Sequence, residues 1–215
     1  MPPSLSAVLQ LSLISLTSIF FLVDPFAVIP SFLVITADAE ERRRRKMARR
    51  AAFTCFVVLS SFALAGSLIF KLFGITLPAF KIAGGIILIL IGLDMLQARR
   101  SQTKETPGET QEGSEKEDAG IIPLGVPMLA GPGSISTVMV LMSGSQRWWE
   151  VIPIFASIAL TSLASYWILA GADRVRDYLG ETGIRILMRM MGLLLTAIAV
   201  QFILNGMADL GLIKR

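Results

Sequence analysis

The sequence predicts an all-α membrane protein of six transmembrane helices, arranged as two inverted three-helix repeats whose first and fourth helices are broken. Three observations predict it. Of the 215 residues, 53% are hydrophobic and only 17% charged, with a mean hydropathy of +0.67, against about 25% charged in a typical soluble domain. Of the 36 charged residues, 20 crowd into 38–50 and 98–118, leaving long runs without charge. Two of those runs carry proline-containing interruptions 107 residues apart. A soluble globular enzyme is excluded.

A hydrocarbon core about 30 Å thick is crossed by about 20 apolar residues in a helix. The first expected span, 14–36, contains Asp24, Pro25 and Pro30, and the second, 51–73, is charge-free as far as Lys71. The third, 79–97, is the shortest: its uninterrupted core is 82–93, with Lys81 placed to snorkel and Ala83, Gly84, Gly85 and Gly92 suited to close packing. A buried re-entrant segment competes with that reading. Residues 98–120 are polar and aperiodic, which marks a solvated linker between one unit at 1–97 and another at 121–215. The second unit repeats the plan with spans 121–144, 149–170 and 186–207. Ser157, Thr161 and Ser165 form a small polar stripe on the fifth span, expected to serve helix contact. The opening residues lack the positive region of a signal peptide.

Six spans place the loops 37–50, 98–120 and 171–189 on one side, and these hold 15 of the 20 basic residues. The positive-inside rule then makes that side cytoplasmic and puts both termini outside the cytoplasm. The run Arg42 to Lys46 is explained by topology and by anionic headgroups, so the expected partner is the lipid bilayer and not nucleic acid. Histidine is absent and Cys55 is the single cysteine. No imidazole metal site, histidine-dependent nucleophile or disulfide is available, and neither metal nor cofactor is expected. Asp24 and Asp94 lack the Gly-x-Gly-Asp setting of an intramembrane aspartyl protease, so the chain is not expected to be an enzyme.

A shift of 107 residues lays Pro25 on Pro132, Asp24 on Gly131, Gly85 on Gly192 and Asp94 on Gln201. Three spans per half is an odd number, so two related halves must enter the membrane in opposite senses. Inverted repeats are a mark of secondary transporters, whose sites form near the midplane at discontinuous helices.

The breaks carry the candidate chemistry. Pro25, Pro30 and Pro132 each remove a backbone donor, while Gly131 and Gly133 remove side-chain cover, which frees backbone groups inside the membrane. Half-helix starts present amides to an anion, and the run from Gly133 through Ser134 to Thr137 adds hydroxyls suited to a ligand carboxylate. A proline kink that only shapes packing is the competing account. Asp24, at the centre of its span, is a candidate proton carrier or sodium ligand, or an N-cap for the half-helix at Pro25, or both. Gln201 and Asn205, one turn apart, either line the pathway or bond between helices.

The segments DPFAVIPSFL, PLGVPMLAGPGSISTVMVL and MRMMGLLLTAIAVQFILNGM resemble the MarC family of bacterial integral membrane proteins over nearly the whole chain. The resemblance implies a fold similar to LysE-type exporters and an inner-membrane, ion-coupled carrier of glycine- or alanine-sized neutral amino acids. It leaves self-association into a homo-oligomer open. Its motif positions here are Asp24, Pro25, Pro30, Gly131, Pro132, Gly133 and Thr137; relatives often carry Asn at the first of these. A non-transporting membrane protein with an assembly or stress-response role is the alternative.

Overall fold

Why the first hydrophobic run forms two helices is written in its centre. In the computed structural model, which describes residues 5–37, 39–97, 119–145 and 147–213, α1 (Leu5–Val23) ends one residue before α2 (Pro25–Ile35) begins. Proline has no N–H to donate back into α1, and it drives its predecessor out of the right-handed helical region. Asp24 accordingly adopts φ 45°, ψ 66°, a left-handed conformation that Asp tolerates better than most residues. Pro30, by contrast, lies inside α2 and does not end it, so the expected pair of proline interruptions reduces to one.

Helix α3 (Glu41–Phe73) starts ten residues before the expected 51, because the arginine run is itself helical. It stops at Gly74, φ 62°, whose N–H donates to the Phe70 carbonyl in a left-handed C-cap. Helix α4 (Leu77–Leu96) is continuous, with Thr76 Oγ1 accepting from Ala79 N at 3.3 Å; the re-entrant alternative is replaced by a helix of 20 residues. The expected linker over 98–118 lies outside the described residues, but its last two positions correct the picture. Ala119 and Gly120 are buried, and a β-carbon on Gly120 would lie 2.7 Å from the Met47 carbonyl oxygen. Ordered backbone packed on α3 therefore begins before 121.

The expected fourth span is built from two short pieces. Residues 119–131 wind in a wide π-type turn around the segment Leu124–Leu129, and α5 (Pro132–Gly144) follows. Pro123 and Pro127 cannot donate, and the donors that remain reach back five residues: Leu124 N to Ala119 O, Val126 N to Ile121 O, Met128 N to Pro123 O and Ala130 N to Gly125 O, at 2.9–3.3 Å. The peptide bonds preceding Pro123 and Pro127 are cis. Helix α6 (Trp148–Ala170) carries Trp148 near one end and the edge-to-face pair Tyr166 and Trp167 near the other, ring centroids 5.1 Å apart. From Trp148 to Trp167 the helix rises about 28 Å, the separation of two interfacial aromatic belts. Helix α7 (Ala172–Asp209) breaks at Gly180, φ 64°, so that its long apolar part is Thr182–Asp209.

Among the described residues five helical stretches are long and apolar enough to cross a membrane: Leu5–Ile35, Glu41–Gly66, Leu77–Leu96, Trp148–Ala170 and Thr182–Asp209. The main core gathers Ile19, Val28, Phe32, Leu59, Leu124, Leu129 and Ile158; a smaller one joins Leu22, Leu88, Ile91, Leu195 and Ala199. Helix α4 packs along α7, and α3 along α6. The remaining principal contacts come in matched pairs: α1 with α6 and the π segment with α3; α3 with α5 and α2 with α6; α4 with α5 and α2 with α7; α1 with α5 and α2 with the π segment.

Candidate functional site

The two breaks sit in the protein interior, bridged by one side chain. Leu22, two residues before Asp24, reaches to 3.4 Å from where a β-carbon on Gly133 would stand. At the first break, Asp24 is 3% exposed. Its own N–H continues the α1 ladder to the Phe20 carbonyl at 3.0 Å, while its Oδ1 accepts from Ala27 N at 3.3 Å and its backbone carbonyl from the same N–H at 3.2 Å. The N-terminus of α2 is thus capped by the chain's own carboxylate, at the end of the helix where the backbone dipole favours negative charge. Pro25, at the first helical position, is buried and Pro30 half-buried.

At the second break the residue in the corresponding position, Gly131, has no side chain. It is extended, φ −87°, ψ 174°, and a β-carbon there would lie 2.7 Å from the Pro127 carbonyl oxygen, so glycine is required by contact and not by φ. Pro132 opens α5, whose start has no side-chain cap. Ser134 is fully buried and its hydroxyl lies 3.0 Å from both the Leu129 and the Gly131 carbonyl oxygens, sharing its one proton between them, while the Gly131 carbonyl also accepts from Ile135 N at 3.0 Å. Three residues further on, the Thr137 hydroxyl is buried with no hydrogen-bond partner among the described residues.

Two expectations change here. The backbone at Gly133, read as open to a ligand, is covered by the side chain of Leu88 as well as by Leu22: in this conformation apolar side chains fill the place where a carboxylate would approach. Gln201 and Asn205 are not in the interior with the breaks. The Gln201 amide donates to Asn205 Oδ1 at 2.9 Å on a face of α7 where Gln201 is exposed, whereas Ala199, Ile203 and Gly206 turn toward α4. Asp94 is half-buried near the end of α4. The Ser157 and Ser165 hydroxyls donate to the Pro153 and Thr161 carbonyls four residues back, buried as a helix contact. Sequence reasoning passed over Leu88 and Leu22, which nothing but their apolarity distinguishes.

Two ion pairs close the ends of the bundle. Arg44 Nη1 lies 2.6 Å from Asp173 Oδ2, joining α3 to α7, and Lys81 Nζ lies 2.6 Å from Asp209 Oδ2, joining the start of α4 to the end of α7.

Apolar helices of membrane-spanning length, aromatic side chains at the separation of two interfaces, and buried helix interruptions define a polytopic α-helical integral membrane protein. Residues 9–210 match the MarC family integral membrane proteins, and the chain belongs to that family. It is 41% identical to UPF0056 membrane protein MJ1677 of Methanocaldococcus jannaschii, over 92% of this chain and 96% of that one. It is 34% identical to UPF0056 membrane protein YvbG of Bacillus subtilis, over 88% and 90%, and 32% identical to UPF0056 membrane protein YhcE of Escherichia coli, over 87% of each. The family therefore extends beyond the bacteria named in the sequence-based expectation. No solved structure matches the chain.

Proposed function

We propose that the chain is a secondary transporter of small neutral amino acids in the cytoplasmic membrane, ion-coupled and working by alternating access between two inverted three-helix repeats. One observation carries the reading: two helix breaks, 107 residues apart in sequence, are both buried, one closed by a carboxylate and the other ending at a glycine, with Leu22 beside the first reaching over Gly133 at the second. The matched helix contacts support the inverted repeat, since exchanging α1 with the π segment, α2 with α5, α3 with α6 and α4 with α7 turns each contact of a pair into its counterpart.

In this reading Asp24 both caps α2 and carries the coupling proton or sodium ion, as an ionisable group inside a span commonly does. The uncapped start of α5 at Gly131, Pro132 and Gly133 receives the substrate carboxylate, with Thr137 supplying a hydroxyl. Ser134 holds the break together, and Pro25 and Pro132 keep both half-helices from fusing into straight spans. Leu22 and Leu88 cover Gly133 in this conformation, so both side chains must move aside for a substrate carboxylate to reach the start of α5. The protein is a carrier and not an enzyme, and Gln201 and Asn205 serve a helix surface. Uptake of labelled amino acids into proteoliposomes, with imposed proton or sodium gradients, tests this. Gradient-dependent accumulation of glycine or alanine is expected; none for any amino acid would move the protein to the non-transporting alternative.

A further inference from the structure

A stripe on α3 changes chemistry partway along. Arg42, Lys46 and Arg49 are followed at the same helical spacing by Phe53 and Phe56, so cations and aromatic rings occupy one face, the charges at one end. Opposite stands α6, with Ala159, Leu163 and Tyr166 at a matching spacing of three and four. Two cavities lie between the helices. The upper one, about 580 Å³, is lined by Arg42, Arg43, Lys46, Arg49 and Tyr166, together with Arg45 and one carboxylate, Glu40. The lower, about 390 Å³, is lined by Phe53, Phe56, Ala159 and Leu163, and by the buried Ser162. Arg49 and Tyr166 line both, so the basic cleft opens directly into the apolar groove.

Among the described residues most of these charges are left unpaired. Arg44 pairs with Asp173 and Arg45 with Glu41, while Arg42, Arg43, Lys46 and Arg49 form no ion pair among the described residues. The cleft also lies at the Tyr166 and Trp167 end of α6, where an aromatic belt marks headgroup level. A ligand for both cavities must carry a concentrated negative charge at headgroup depth and an apolar chain below it.

We propose that this composite site binds one anionic phospholipid, its phosphate among Arg42, Arg43, Lys46 and Arg49 and an acyl chain between Phe53, Phe56 and Leu163. Headgroup attraction to loose surface lysines would be diffuse; here the cations and the groove share a wall, so charge and chain are recognised together. The site is independent of the breaks at Asp24 and Gly131, and transport failure would leave it standing.

Native mass spectrometry of the purified full chain, titrated with phosphatidylglycerol and with phosphatidylcholine of the same acyl chains, reads the preference. One lipid is expected to bind, several-fold more tightly when anionic. Arg49→Gln, which leaves the run from Arg42 to Lys46 intact for topology, should abolish most of that preference. Ala159→Trp, which fills the groove from an exposed position, should weaken both lipids. Each variant should melt like the parent in lipid-free detergent; if Ala159→Trp does not, Arg49→Gln still decides. Equal binding of the two lipids by the parent would overturn the proposal, as would an unchanged preference in Arg49→Gln. Displacement of bound phospholipid by soluble glycerol 3-phosphate at equal concentration would also overturn it, because the site would then read phosphate without a chain.

Discussion

Gly92 and Gly192 face each other across the α4–α7 crossing, so closely that a β-carbon on Gly92 would lie 3.0 Å from the Gly192 carbonyl oxygen, and one on Gly192 2.8 Å from that of Gly92. The shift of 107 residues turns the pair Gly192 and Gly92 into Gly85 and Ala199, and a β-carbon on Gly85 would stand 2.7 Å from the Ala199 carbonyl oxygen. The Thr196 and Ile203 side chains lie nearer still to Gly92 and Gly85, but a carbonyl oxygen stands within 3.0 Å at each point, and backbone cannot swing aside, so a methyl group must push the helices apart. Gly192→Ala or Gly92→Ala is expected to cost about 1–3 kcal/mol, read as a lowered melting temperature in detergent. Gly144→Ala, where nothing lies within 4 Å, is the control that should melt like the parent.

Five of the spans were legible because they depend on what sequence displays directly, long runs without charge; Gly85 and Gly92 marked the third for close packing but did not name α7 as its partner. The break at Pro25 was legible for the same reason, since a missing donor is a covalent fact. Pro30 was not, because whether a helix continues past a proline depends on what its neighbours pack against. The winding of 119–131 was hidden too; it arises from Pro123 and Pro127 together with the fit of Gly125 against Thr54, a tertiary contact. Gln201 and Asn205 look like pathway residues in any list of polar groups within a span, yet the face of α7 that packs is decided by Gly192, Ala199 and Gly206, and this turns Gln201 outward.

Asp24 combines two duties that substitution separates. Asn keeps a cap oxygen and tolerates φ 45°, so Asp24→Asn should fold with the parent's melting temperature while losing ion-driven accumulation and retaining exchange. Asp24→Ala removes the cap and adds left-handed strain, for an expected loss of about 1–2 kcal/mol. Proteoliposome accumulation and melting curves, taken on both variants, check the split. Full ion-driven accumulation by Asp24→Asn would restrict Asp24 to its capping role.

At Gly133 the obstruction is the end of the Leu88 side chain, which is flexible where backbone is not. Gly133→Ala is therefore expected to be destabilising by no more than about 1–2 kcal/mol. Gly133→Ala combined with Leu88→Ala should lose less stability than the sum of the two separate losses, because the new methyl occupies space vacated by leucine. For transport the expectation differs: the methyl also stands over the start of α5, so the double variant should remain impaired in glycine uptake although it is better packed. Strict additivity in the melting curves would mean that Leu88 does not cover Gly133 in solution.

The ion pairs turn the number of crossings into a measurable parity. Arg44 and Asp173, 2.6 Å apart, must lie on the same side of the membrane, so the chain between them crosses an even number of times. Helices α3, α4 and α6 are long enough for three crossings; in the proposed inverted repeat the broken segment 119–144 supplies the fourth, although neither of its pieces is long enough to span alone. With that crossing, Gln97 and the end of α7 are on opposite sides; without it, they share a side. Single cysteines at Gln97 and Leu212, both exposed, introduced after replacing the buried Cys55 with Ala, report this through an impermeant thiol reagent on intact cells. Because the basic loops are expected inside, Leu212→Cys should label and Gln97→Cys should label only after permeabilisation. Equal behaviour of the two positions would mean that 119–144 enters and leaves by the same face, and the inverted-repeat reading would fall with it.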